Sequence, residues 1–251
     1  MHWTKYGLRL GTGLWLGLLS GIAAPQTPPP PPALQTPLPA VPSAPVPKAA
    51  PRFLVVLDAA HGGNDTGARL SDTLPEKELT LALSVRLRSM LSARGIGVAT
   101  TRESDVTLSA TQRAATANHE PAAACILIHA TASGSGVHLY TSSLAPENPA
   151  QATRFLPWQT AQASYVTQSM KLSSEIDSAL AHAEIPVALG RTSLQPMDSF
   201  ACPAVAVEIA PLTAGATTKG QALTDAGYQK SILDALAAAI DQWKNDWSQQ
   251  P

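Results

Sequence analysis

After Arg52 the apolar positions along the chain alternate between two spacings. Short, nearly continuous apolar runs predict strands at residues 53–58 (FLVVLD), 97–101, 125–129 (CILIH), 137–141 and 204–209 (AVAVEI), as expected for strands buried on both faces. Between the first two, Leu79, Leu83, Leu87 and Leu91 recur every four residues, the stripe of a helix that Gly95 is placed to terminate. Residues 108–118 and 172–183 read as further helices, and Ile232, Leu236, Ile240, Trp243 and Trp247 form the clearest stripe of all. Strand, helix and strand in succession predict an α/β fold. The expected form is a three-layer sandwich, with a mostly parallel, mixed central sheet of about six strands flanked by helices. No repeat of about 20 to 50 residues interrupts this order.

The first 51 residues follow another pattern. Lys5 and Arg9 precede an apolar run containing Leu14, Trp15, Leu16, Leu18, Leu19 and Ile22, which closes on the small residues Gly21, Ala23 and Ala24. Residues 1–24 thus have the build of an export signal or, uncut, a membrane anchor, although the run is short for a span of about 20 residues. No cysteine follows it, which excludes a lipoprotein anchor. Residues 25–51 hold 12 of the 22 prolines and favour polyproline II, a spacer that reaches roughly 80 Å when extended. It reads equally as a tether from a membrane and as a tail left by cleavage. Residues 52–251 are the expected folded domain, enough for one well-buried core.

Charge narrows the function. The first 51 residues carry three bases and no acid, so the rest of the chain holds 14 basic and 18 acidic residues, which argues against a nucleic-acid partner. The two cysteines form no Cys-x-x-Cys pair. They begin two of the predicted strands and can pair if those strands are neighbours, under demanding geometry. A nucleophilic role is disfavoured, because neither sits at the strand ends where ligands collect.

At those ends the chemistry gathers. FLVVLDAA runs into His61, CILI into His129 and AVAV into Glu208, while Glu76 opens the first predicted helix at the same sheet edge. Two imidazoles and a carboxylate are the protein ligands of a hydrolytic Zn2+ with a fourth position open to water, leaving the other carboxylate as a base. Each residue also has a plainer reading. Thr73-x-x-Glu76 fits a capping box, HGGNDTG passes for a phosphate-cradling loop, though no Gly-Lys-Ser/Thr follows it, and His129 fits a hydrogen-bonded structural histidine. Glu208 is harder to reduce, since a carboxylate ending an apolar run is costly to bury without a partner. Asp58 precedes the first histidine and is placed either to orient His61 or to cap a turn. His2, His119, His138 and His182 show no partner pattern and are assigned no role.

Taken together, His61-Gly62-Gly63-x-Asp65-x-Gly67, Glu76-Lys77 leading into Leu79-Thr80-Leu81-Ala82, Thr101-Arg102-x-x-Asp105, Arg113 with Ala117-Asn118, Ile128-His129-Ala130 and Pro203-Ala204-Val205-x-Val207-Glu208 resemble one family. It is that of the zinc-dependent N-acetylmuramoyl-L-alanine amidases of the type 3 catalytic domain, and the similarity runs from about Phe53 to Trp247. The resemblance implies one Zn2+ held by His61, Glu76 and His129, with Glu208 as the catalytic carboxylate. It implies peptidoglycan as substrate, cut at the amide between N-acetylmuramic acid and the first L-alanine of the stem peptide, and a location in the periplasm or cell envelope. Two alternatives stand beside it: a catalytically impaired wall-binding or regulatory module, and a zinc peptidase cutting within the stem peptide. Departures from the family pattern fall in loops: Ala59-Ala60 for Pro-Gly, Thr131 for Asn, and Ala210-Pro211-Leu212-Thr213-Ala214 for Gly-Phe-Leu-Ser-Asn. Family members that need an activator protein carry an inhibitory helix near residues 141–171, so this stretch reads either as a cover for the cleft or as a packed excursion.

Overall fold

The computed structural model describes residues 53–147, 157–215 and 219–248. The expected export signal and Pro-rich spacer lie outside the described residues. Six strands, β1 (Leu54–Ala59), β2 (Gly97–Thr100), β3 (Ala124–Ala130), β4 (Val137–Ser142), β5 (Val187–Thr192) and β6 (Ala204–Ile209), form one sheet in the order β2-β1-β3-β6-β4-β5. β2, β1, β3 and β6 are mutually parallel, β4 is antiparallel to β6, and β5 is parallel to β4. This is the mixed, mostly parallel sheet expected. Its central strands are apolar on both sides because helices and turns cover both.

One face packs Val55, Leu57, Ile126, Ile128, Val205 and Val207 against three helices, α1 (Glu76–Ala93), α3 (Val166–His182) and α4 (Ala226–Ser248). The leucine stripe of α1 is buried here, and the helix ends at Gly95, whose φ of +70° lets the chain turn back into β2. Trp243 on α4 is buried and donates its indole N–H to the Ala123 carbonyl at 3.0 Å, fixing α4 at the entry to β3. The other face carries Val56, Cys125, Leu127, Ala204 and Ala206 beneath α2 (Ala110–His119) and the short 3-10 turn Met197–Ser199. Among the described residues no helix is long and apolar enough to cross a membrane.

Several boundaries differ from the sequence reading. α2 starts at Ala110, where Ser109 and Gln112 form a capping box. α3 begins at Val166, six residues before the expected Leu172, and between the buried Val166 and Leu172 its inner face carries Ser169. Ser169 donates to Gln162 and accepts from the Ala204 N–H at 2.9 Å, so no apolar stripe marks the turn. β5 escaped the apolar pattern because it is an edge strand, with Leu189 exposed and Gly190 lying against the ring of Tyr140. At α1 the expected capping box is absent: the N-cap is Pro75, with no side-chain cap, and the Glu76 carboxylate turns elsewhere.

Cys125 and Cys202 are joined in a disulfide with Cα atoms 6.1 Å apart, pinning the start of β3 to the approach to β6. The bond closes a loop of sequence separation 77. Replacing both cysteines with alanine is expected to lower stability by about 4 kcal/mol, from the chain entropy such a loop withholds from the unfolded state. Urea unfolding of the oxidised protein and the double variant measures the difference.

Candidate metal centre

β1 leaves the sheet at Ala59, and two residues later His61 adopts a left-handed backbone with φ of +61°. A residue with a Cβ resists that conformation. Two buried guanidinium groups hold it there. Arg113 donates to the carbonyls of Ala59, at 2.7 Å, and His61, while Arg102 donates to those of Ala59 at 2.8 Å and Ala60 at 3.0 Å. Three successive carbonyls are thus gripped, and the strained residue is over-determined by its surroundings.

The loop that follows wraps the site rather than cradling a phosphate. Gly63 donates its N–H to Asp105 at 2.6 Å, Asn64 to the Thr107 hydroxyl at 2.9 Å, and Lys77 bridges the Gly63 carbonyl and Asp105. Gly67, at φ +65°, closes it: a Cβ there would lie 2.5 Å from Cδ2 of His61 and 2.7 Å from Oε2 of Glu76. The loop therefore brings His61 onto the first residue of α1.

Three ligand-type groups converge. Nε2 of His61 lies 3.0 Å from one Glu76 oxygen and Nδ1 of His129 lies 3.1 Å from the other. The two imidazoles stand at 89° with centroids 5.5 Å apart. One donor atom from each of His61, Glu76 and His129 lies within 4.8 Å of the others, a group able to hold a metal ion. Glu76 is buried and also accepts from the N–H groups of Ala68, at 2.9 Å, and Ala130, at 3.1 Å. Nε2 of His129 is buried with no hydrogen-bond partner, a polar atom the protein's own groups leave unsatisfied. Two nitrogens and a carboxylate, with the imidazoles partly open to solvent, suit a Zn2+-type site with an accessible position.

Electrostatics holds Glu76 in the ionised form that a metal ligand needs. Burial opposes ionisation of Glu76, but hydrogen bonds from His129, His61 and the two backbone N–H groups outweigh it and hold the carboxyl well below the usual range. The hydrogen bond to Glu76 raises the pKa of His61 above its ordinary value, against desolvation and with help from Asp65. Asp65 accepts from Nδ1 of His61 at 2.8 Å and so orients the ring. The sequence offers Asp58 either for that role or for capping a turn. Instead Asp58 is buried in the face beneath α2, where Thr101 at 2.5 Å and Arg113 at 2.8 Å donate to it. It reaches His61 only through the arginine that holds the His61 carbonyl.

Glu208 on β6 is the register partner of His129 on β3, so the two side chains emerge side by side on one face. Its Oε2 accepts from Nδ1 of His138 at 2.9 Å. The sequence reading left His138 without a role, yet β4 carries a signal. In Val137-His138-Leu139-Tyr140 the apolar residues face the three-helix core, and His138 and Tyr140 face the side bearing Glu208. A cavity of about 280 Å³ lined by His129, Tyr140, Thr192, Leu194, Ala206 and Glu208 adjoins one of about 120 Å³ whose walls include His61, Asp65, Arg113, His129 and Pro196. His129 borders both. Within residues 141–171, Trp158–Ser164 form a 3-10 helix whose buried Gln162 donates to the carbonyls of Phe200 and Cys202, at the end of β6 away from Glu208. Residues 148–156 lie outside the described residues; Leu108, Ala110, Gln195 and Pro196 are among the residues that line the cleft beside His61.

A family model described as N-acetylmuramoyl-L-alanine amidase matches residues 55–242. The chain belongs to this family. The family's name is that of a hydrolase acting on an amide. The chain is similar to the N-acetylmuramoyl-L-alanine amidase CwlM of Bacillus licheniformis, 42% identical over 82 residues, 32% of this chain and 32% of that protein. The matched stretches span about a third or less of the curated relatives' own lengths. Among solved structures, the catalytic domain of the amidase CwlV from Bacillus (Paenibacillus) polymyxa var. colistinus superposes with a TM-score of 0.58 at 23% identity, covering 77% of this chain and 98% of that one. The CwlD amidase of Clostridioides difficile, solved in complex with the GerS lipoprotein, gives 0.55 at 20% identity, covering 78% and 100%. These likenesses show the shared amidase fold.

Two outcomes follow for this family member. Gly67→Ala is expected to lower metal affinity more than about tenfold, since the left-handed position alone costs about 1–2 kcal/mol and the new methyl enters between His61 and Glu76; metal content after dialysis reads it. Protons compete with metal for His61, and its raised pKa starts that competition above the usual imidazole range. Zinc affinity of the metal-free protein should therefore fall as pH drops from about 8 to about 6. Asp65→Asn should weaken binding at the upper pH by roughly tenfold and move the fall to lower pH, as titration calorimetry at both values will show.

Proposed function

We propose that the chain is an exported zinc-dependent N-acetylmuramoyl-L-alanine amidase, hydrolysing the amide that joins the lactyl group of N-acetylmuramic acid to the first L-alanine of the stem peptide. The observation that carries this is the convergence of His61, Glu76 and His129 beside Glu208, in a chain whose residues 55–242 match the amidase family. On this reading those three residues hold one Zn2+ and Glu208 is the general base. When bound, the ion supplies an activated water and polarises the amide carbonyl.

The chain's own groups do the rest. Asp65 keeps the Nδ1 proton on His61, so Nε2 is the nitrogen presented to the ion. Glu76 stays ionised across the working pH range, because its pKa lies far below the usual carboxylate value. Glu208, next to His129, takes a proton from the attacking water and returns it to the leaving amine nitrogen, a role worth about 10² to 10⁴ in rate. The family-atypical Ala59 and Ala60 contribute carbonyls to the arginine grip, which supports retention of the site despite the changed loop. The groove over His129 is the proposed seat of the muramoyl-alanine link.

Residues 1–24, read as an export signal or anchor, and the Pro-rich spacer support a location in the periplasm or cell envelope, where peptidoglycan lies within reach. An activator protein is a further proposed partner, in keeping with a neighbour solved in complex with a lipoprotein.

Incubating the purified protein with sacculi and weighing the released fragments tests the reading. Intact stem peptides beginning with L-alanine are expected. Shorter peptides would indicate a peptidase, and binding without release a wall-binding module. Glu208→Gln should keep about one zinc per chain while cleavage falls by at least about 100-fold; cleavage at the parent rate would remove Glu208 from the mechanism.

A further inference from the structure

His129, Glu208 and His138 form one rung across three adjacent strands. Glu208 on β6 is the register partner of His129 on β3 and of His138 on β4, and β6 lies between the other two. The carboxylate is thus flanked on one side by a residue of the metal-binding group and on the other by an imidazole outside it. Nδ1 of His138 lies 2.9 Å from Oε2 of Glu208. The donor approaches from the side away from His129, so the engaged oxygen is drawn toward β4.

The imidazole is itself held. The turn before β4 closes on its ring at Gly134, where φ is +90° and a Cβ would lie 2.5 Å from Cε1 and 2.8 Å from Nε2. The Tyr140 ring stands edge-on, with centroids 6.4 Å apart and planes at 77°. His138 is 17% exposed, whereas the Glu208 side chain is 31% exposed and borders the larger cavity. A carboxylate that open to water samples several orientations unless a rigid donor selects one. His138 and the Gly134 turn have the form of such a donor and its support.

We propose that His138 is the positioning residue for the general base: its Nδ1–H fixes Oε2 of Glu208 and thereby aims Oε1 at the water to be deprotonated. This rests on the reading of Glu208 as base given above. His138 binds neither metal nor substrate in this role. Its loss slows the chemical step and leaves substrate binding in place.

The experiment uses the full zinc-loaded protein with a soluble muramoyl-peptide, and compares the parent with His138→Ala, His138→Asn and Glu208→Gln. Asparagine is the informative replacement because its amide nitrogen sits close to where Nδ1 sits, so it restores the donor without the ring. Expected is a fall in kcat of about 10- to 100-fold in His138→Ala with KM changed by less than about twofold, zinc content unchanged, and recovery of most of the rate in His138→Asn. A second readout needs no metal and no turnover. In metal-free protein, imidazole 15N spectra should show His138 as the Nδ1–H tautomer, reverting toward Nε2–H when Glu208 is replaced by alanine. If Glu208→Gln turns over like the parent, the base assignment itself fails. If Glu208→Gln is inactive but His138→Ala keeps the parent kcat, or His138→Asn is as slow as His138→Ala, the positioning role is overturned. An Nε2–H tautomer in the parent overturns it as well.

Discussion

A buried carboxylate between two imidazoles governs how the rest of this fold is arranged. Glu76 is removed from water at the start of α1, and burial of a charge is tolerated only where hydrogen bonds and cationic or metal partners replace the solvent. Four donors supply this in the protein itself: His61, His129 and the backbone N–H groups of Ala68 and Ala130. To bring them together the chain must end β1 beside α1, loop back tightly over Gly67, and place His129 at the same edge of β3. The glycines, the left-handed His61 and the arginine grip on residues 59–61 follow from that demand.

The sheet makes this geometry stiff. Its central strands are packed on both faces, so the register of β1, β3 and β6 cannot slip without exposing apolar side chains. Fixed register sets Glu208 next to His129, and the disulfide from Cys125 to Cys202 ties the same two strands at their far ends. Chemistry sits at one end of the strand pair and the covalent clamp at the other. β4, paired antiparallel to β6, then brings His138 onto the other side of Glu208.

Buried arginines give the site a second layer of control. Arg102 and Arg113 spend their donors on backbone carbonyls and on Asp58 and Thr80, and not on any surface acid. Carbonyl recognition explains why the loop tolerates Ala59-Ala60: the groups gripped belong to the backbone, which any residue supplies. The same logic separates Asp58 from Asp65. Asp58 stabilises the arginine that shapes the turn, whereas Asp65, nearer the surface, addresses the His61 ring itself.

Much of this was legible from residues alone, and the limit is physical. Continuous apolar runs mark strands buried twice, so β1, β3 and β6 could be read directly, as could α1 and α4 from stripes that a single packed face imposes. The candidates His61, His129 and Glu208 were likewise visible, because each ends or follows an apolar run where a polar group needs a reason to be, and Glu76 because it opens the first helix at the same sheet edge. Edge strand β5 and the first turns of α3 were hidden, since their partners are polar or lie on one side only. Which carboxylate meets which histidine was beyond the sequence too: the Asp65 contact depends on a loop bent by positive-φ residues, and the His138 contact on an antiparallel pairing between segments 70 residues apart. Local spacing dictates what a segment becomes, but long-range pairing decides which side chains share a hydrogen bond.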